Sequence, residues 1–281
     1  NFMNILRALI PGLLLLQVTS VSVANERAMI GVPPSTASQA TLHNARQQPF
    51  SKWTFFNAGA PLNVVMIPRR GEIHRLPSDR KARDFSSLDT TFRNNDADAL
   101  VVIKGNRLMH EAYFDDPDYR HQQHIWYSMT KSLVSSAFGI LVEQGKVDVS
   151  KSPAHYIPEL KGSGFERVTI QNVLDHDSAL DFKETYTDFS SDFFLHYAPA
   201  LNMAFLPGAR DVQPGTTDIY GVHDFLAKFI QPDMQLQPGE AFDYNSSNAD
   251  VLGWLVARIS GENLSDYIAD NIWAKIGAEH D

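Results

Sequence analysis

The chain has 281 residues, 33 acids against 24 Lys and Arg, 10 histidines and no cysteine. Its length suits one large domain or two small ones, and 43% hydrophobic with 20% charged residues excludes collagen-like and disordered chains. A formal charge of −9 argues against nucleic-acid binding, and zero cysteine removes disulfides, thiolate nucleophiles, Fe–S clusters and cysteine zinc sites.

Residues 1–24 read as a signal peptide. Met3 starts it and Arg7 supplies the positive region. Leu13-Leu14-Leu15-Leu16 lies in the apolar core, and Ser22-Val23-Ala24 is a small-x-small cleavage site. The apolar stretch is too short to span a bilayer. The expectation is an exported protein, periplasmic or secreted, with no stable membrane anchor after cleavage. Residues 25–94 read as an N-terminal arm and loops, spotted with Pro and Ser early and with basic residues from Arg69 to Arg83. Ala99–Ile103, a Lys104-Gly105-Asn106-Arg107 turn and Leu108–Phe114 predict a β-hairpin.

Tyr127–Gln144 predicts a helix that is apolar around most of its circumference, hence buried in the middle of a domain, and stopped by Gly145. Val168–Leu174 predicts a second helix entered through Thr169. Residues 181–240 hold aromatics, Gly and Pro without a clean period, which suits loops over a site. Ala249–Ile259 predicts an apolar helix closed by Gly261, and Leu264–Ile276 a last one.

Without cysteine, a nucleophile must be Ser, Thr, Lys, a carboxylate, Tyr or His. Ser128-Met129-Thr130-Lys131 puts Ser and Lys on one helix face, so the amine reaches the hydroxyl. A serine needs such a base, and the lysine serves when its amine is neutral. The Ser128 N–H, at a helix N-terminus, suits a developing oxyanion. The pattern recurs at Ser78-Asp79-Arg80-Lys81, but there no apolar helix follows and the lysine stays solvated. The bland alternative makes Ser128 a helix cap and Lys131 a snorkelling surface lysine.

Tyr244-Asn245-Ser246 follows Pro238-Gly239. A phenol near cations can carry a proton for a leaving group, and Ser246 can hydrogen-bond the lysine or a substrate. The alternative is a turn that caps the next helix, with Tyr244 packing against it. His121 and His124 lack a third ligand for zinc. Asp115-Asp116-Pro117-Asp118 lacks calcium-loop spacing. No cofactor and no metal is implied.

Together, Ser128-x-x-Lys131, Tyr244-x-Ser246 and a helix ending at Gly261 resemble the class C β-lactamase and penicillin-binding-protein superfamily. The resemblance also rests on Trp126-Tyr127, Glu143-Gln144-Gly145-Lys146-Val147-Asp148, Tyr156-Ile157-Pro158-Glu159-Leu160 and Val168–Leu174. It covers roughly residues 95–280. It implies an α/β, β-lactamase-like fold, with a helical domain beside an antiparallel sheet and the site in the cleft between. It implies a serine hydrolase domain at 95–281 acting through an acyl-enzyme on a small-molecule amide or ester. Ser128 would be the nucleophile, Lys131 the base and Tyr244 the acid/base. A cell-wall D,D-peptidase, a weak β-lactamase, and a non-catalytic sensor or scaffold remain alternatives.

Three departures stand out. The family's His-x-Ser-Gly is His176-Asp177-Ser178-Ala179. Its Tyr-x-Asn is Tyr244-Asn245-Ser246, and a β-lactamase uses that Asn to hold its substrate. Its late Lys/His-x-Gly strand is absent, so the chain looks C-terminally truncated and the sheet incomplete, with an exposed apolar edge. The wording Ala179–Tyr186, Tyr244–Gly253 and Gly277–Asp281 resembles the 6-aminohexanoate-dimer hydrolase branch. There a tyrosine aligned with Tyr186 contacts the scissile amide nitrogen. Tyr186 and Ser246 are thus the expected substrate-binding residues. The oligomeric state is not readable.

Overall fold

A computed structural model describes residues 47, 50–57, 64–79, 83–201 and 219–281. The expected signal peptide, Arg80, Lys81 and part of the long central loop region lie outside them.

Among the described residues, two helices lie in the segment expected to be arm and loops. α1 (Phe50–Asn57) has aromatics three apart in sequence, a helical spacing inside a polar stretch. Its Phe56 stacks on Tyr119 with ring centroids 4.4 Å apart. α2 (Ser86–Asn94) has no buried residue. It leans on the sheet through Asp89, which is 2.6 Å from His110 Nε2.

The hairpin forms as expected. β1 (Ala99–Lys104) pairs antiparallel with β2 (Arg107–Tyr113), Lys104 opposite Arg107, with an irregularity between Val102 and Ile103. Gly105 (φ 55°) and Asn106 (φ 58°) both take positive φ, which the two-residue turn requires. Among the described residues the sheet has these two strands. Ser78 adds one parallel bridge to Leu108, so the second Ser-x-x-Lys copy begins at a sheet margin rather than on a helix.

The helical layer holds the core. α3 (Met129–Glu143) packs against α5 (Ser246–Ser260), flanked by α4 (Ile170–Asp175) and α6 (Leu264–Ile268). Ala137, Phe138 and Leu141 of α3 meet Val251, Leu252, Leu255 and Val256 of α5, with Ile157, Phe165, Ile170, Phe182 and Phe225 around them. Each of these Val, Leu, Ile and Phe side chains contributes about 1.5–3 kcal/mol when fully buried. The helices come close at Gly253, where an added Cβ would lie 3.2 Å from Leu264. The expectation that α3 is buried in the middle of a domain holds for one side of it only. It buries one face, and Val142 and Ser132 are exposed.

Local chemistry sets the helix ends. Thr169 Oγ1 accepts the Asn172 N–H at 3.1 Å, and Asn172 Oδ1 accepts the Thr169 N–H at 3.0 Å, a reciprocal cap. Gly145 (φ 67°) follows α3, and Gly261 (φ 77°) closes α5. The expected last helix is present: the chain is helical from Leu264 to Ile276, with one wider π-helical turn at Ala269–Trp273. No helix among the described residues is long and apolar enough to cross a membrane.

Candidate active site

Ser128 stands at the N-terminal end of α3, where a serine ordinarily caps. Its side chain makes no capping bond. Instead Lys131 Nζ donates to Ser128 Oγ at 3.0 Å, and Tyr244 Oη donates to the same oxygen at 2.7 Å. The capping alternative therefore fails for this hydroxyl. Ser128 is exposed, so a substrate can reach it. Tyr127 before it takes φ 44°, a left-handed conformation costly for an aromatic residue, about 1–3 kcal/mol.

Lys131 follows one turn on, and its Nζ also sits 5.3 Å from the centre of the Tyr244 ring. Tyr244 is 40% exposed, so it is not packing alone. Burial would push its phenol up, but its interactions with Ser128 and Lys131 outweigh that and leave it below the ordinary phenol value. A phenol so tuned gives up and recovers a proton more readily.

The capping alternative does hold one residue further on. Asn245 caps α5, its side chain accepting the Ser247 N–H at 3.1 Å. So Tyr244-Asn245-Ser246 divides its work, with Asn245 fixing the helix and Tyr244 facing the serine.

Ser246 does not bond Lys131 here. Its N–H and its hydroxyl both donate to Glu184, the hydroxyl at 3.0 Å. Tyr186 Oη donates to the same carboxylate. The two expected substrate-binding residues are thus brought together by Glu184. Burial first, then the Glu184 carboxylate, pushes the Tyr186 phenol up, so it stays protonated and can donate. The Tyr186 ring packs edge-on to Phe193 at 4.9 Å.

Three residues escaped the sequence reading as site residues. Glu184 sits two before Tyr186 in an aromatic loop, and a lone acid there is a weak signal. Asp250 interrupts the apolar run of α5, one turn after Ser246, and accepts from Tyr197 Oη at 2.6 Å. Burial pushes its carboxyl up to about 6, with Tyr197 and Lys131 pulling the other way. His176 ends α4 and stacks on Tyr244. Around them, Lys183 donates to Asp243 at 2.5 Å and Asn245 Nδ2 donates to the Phe182 carbonyl at 3.0 Å. These bonds fasten the Tyr244 segment to the aromatic loop.

The arrangement suits acyl transfer. An exposed hydroxyl has two proton-handling groups in contact with its oxygen, and a helix N-terminus lies beneath it to favour negative charge.

A family model described as Beta-lactamase matches residues 88–281. A 6-aminohexanoate-dimer hydrolase from Paenarthrobacter ureafaciens is 29% identical over 257 residues, 89% of this chain and 61% of that protein. A solved structure described as a candidate 6-aminohexanoate-dimer hydrolase from Bacillus anthracis superposes with a TM-score of 0.68 at 24% identity, over 88% of this chain and 64% of that one. A candidate penicillin-binding protein of Bacillus subtilis, PbpX, is 26% identical over 154 residues, 54% of this chain and 31% of that protein. The chain spans about six-tenths of the length of the first two.

Proposed function

Because the chain belongs to the Beta-lactamase family and has its fold, we propose that it is a serine hydrolase cleaving a linear amide or ester through an acyl-enzyme. Ser128 is the nucleophile, Lys131 its base, and Tyr244 the acid/base that serves the leaving group. The observation that carries this reading is the convergence of Lys131 Nζ at 3.0 Å and Tyr244 Oη at 2.7 Å on Ser128 Oγ.

In the first step Ser128 Oγ attacks the carbonyl carbon and its proton passes to the Lys131–Tyr244 pair. The new oxyanion faces the N-terminus of α3, where the Ser128 N–H and the helix dipole favour it. Collapse expels the amine or alcohol, which takes a proton from Tyr244 as it leaves. Water then attacks the Ser128 ester, the pair accepts the water's proton, and Ser128 leaves protonated.

The substrate side rests on Tyr186 and Ser246. Tyr186, whose one hydroxyl proton is directed at Glu184, contacts the scissile amide through its phenol oxygen, which can accept the N–H. Ser246 stands where a β-lactamase has Asn, which favours a linear substrate over a β-lactam. Likeness to a relative named for a 6-aminohexanoate dimer supports an amide. The partner is a small molecule, not nucleic acid. Export through the leader at 1–24 belongs to the same proposal, and sequencing the N-terminus of secreted protein tests it. A start at Asn25 supports export and a start at Met3 contradicts it.

Side-by-side turnover of p-nitrophenyl acetate, nitrocefin and a 6-aminohexanoate dimer tests the function. Faster turnover of the linear ester and amide than of nitrocefin is the expected result. Nitrocefin turned over fastest would make the protein a β-lactamase. Turnover of none of the three would contradict hydrolysis.

A further inference from the structure

Tyr244 reaches Ser128 from an extended segment ahead of α5, and one residue grips that segment on both sides. His176 ends α4 in the left-handed region (φ 56°, ψ 37°), which histidine enters more readily than most side chains. So turned, its carbonyl accepts the Asp243 N–H at 2.7 Å. Its Nδ1 accepts the Asn245 N–H at 3.2 Å. Its ring lies flat on the Tyr244 ring, with centroids 5.4 Å apart and planes 6° from parallel. The amides before and after Tyr244 therefore both end on His176. Asn248 Nδ2 is 3.4 Å from the same Nδ1, and Ser178 Oγ donates to Asn248 Oδ1 at 3.0 Å, which turns the Asn248 amide nitrogen toward the imidazole.

We propose that His176 is a positioning residue for the Tyr244 phenol, and that it holds Tyr244 only as a neutral imidazole with Nδ1 unprotonated. The inference rests on Tyr244 being the proton carrier and deepens that reading. A protonated imidazole has N–H on both nitrogens. Its Nδ1–H would then face the Asn245 N–H donor to donor, and the segment would loosen. The charged groups that face the ring are Lys131 from α3, Glu184 from the aromatic loop and Asp243 from the Tyr244 segment. Burial first, then Lys131, lowers the His176 pKa below the usual histidine value, and Glu184 and Asp243 only partly oppose this. Neutral pH thus finds the ring in its holding form, and acid releases it.

Two substitutions separate the ring from the acceptor. His176→Phe keeps a ring to stack and removes the acceptor. His176→Asn keeps an acceptor near the Nδ1 position, tolerates positive φ, and cannot be protonated. The readout is release of p-nitroaniline from an acyl p-nitroanilide, an amide whose leaving group needs a proton. It is followed from about pH 5 to about pH 8, the range in which histidine titrates. His176→Phe should slow release roughly tenfold or more beside Tyr244, and less than about twofold in a Tyr244→Phe background, because it acts through the phenol. His176→Asn should stay within about threefold of wild type at neutral pH and lose less of its rate in acid.

Equal slowing by His176→Phe in both backgrounds would overturn the inference and leave the Tyr244 reading intact. A Tyr244→Phe protein as fast as wild type would overturn both. Should His176→Phe fail to fold, the acid limb decides, and a limb unchanged in His176→Asn counts against the inference.

Discussion

The layer built on α3 and α5 buries Phe138, Leu141, Val251, Leu255 and Val256 completely, whereas the hairpin leaves Val101 49% and Ile103 54% exposed and α2 buries nothing. Both regions are rich in apolar residues. The difference lies in neighbours, since α3 has helices against its inner face, while Val101 and Ile103 share a sheet face that the described residues leave open. The candidate chemistry sits on the better-packed region. Ser128, Lys131, Tyr244, Ser246 and His176 all lie on or beside α3, α4 and α5, where packing fixes distances to within a hydrogen bond.

That contrast can be broken or sharpened by substitution. The largest effect belongs to Lys131→Arg. Guanidinium fits much of the same space but stays protonated at working pH. Acylation should fall by about two to four decades, roughly 3–5 kcal/mol in the barrier, with the melting temperature little changed. Burst kinetics on p-nitrophenyl acetate measure it. Phe138→Ala, in the same layer, should cost about 3–5 kcal/mol of stability in a urea titration, because the cavity lies among rigid neighbours.

Asp250→Asn tests the half-buried acid of α5. The Asp250 carboxyl lies at about 6 in the fold, above its unfolded value near 3.9. Its contribution is therefore full below about pH 4 and is lost as pH rises through about 6. Wild type should lose roughly 2 kcal/mol of stability across that window relative to Asp250→Asn, which has no proton to release. Urea midpoints taken on each side of it give the number. The smallest effect belongs to the hairpin. Val101→Thr should change stability by less than about 0.5 kcal/mol, since it alters an exposed face. A large loss there would mean that something covers this face in solution.

What the sequence made legible follows the range of the forces involved. The Gly105-Asn106 turn, the Thr169 cap and the glycine stops at 145 and 261 depend on neighbours within a few residues, so they could be read directly. The Ser128–Lys131 pair follows from helical spacing. Its meeting with Tyr244, 116 residues away, came from resemblance and not from local pattern. The extent of burial of α3 was misread, because periodicity tells which residues are apolar and not how many layers surround them. α1 was missed because its aromatics sit in a polar, Pro- and Ser-spotted stretch. The Glu184 bonds to Ser246 and the His176 grip on Tyr244 join residues about sixty to seventy apart. Nothing local marks either end.

The most direct test of the account is covalent trapping. A fluorophosphonate should add once to the protein in an intact-mass spectrum. The adduct should vanish in Ser128→Ala, where Lys131 and Tyr244 remain but have no hydroxyl to activate. It should persist in Ser78→Ala, because Ser78 lies at the hairpin margin. A single adduct that survives Ser128→Ala would put the nucleophile elsewhere and contradict the assignment of the site.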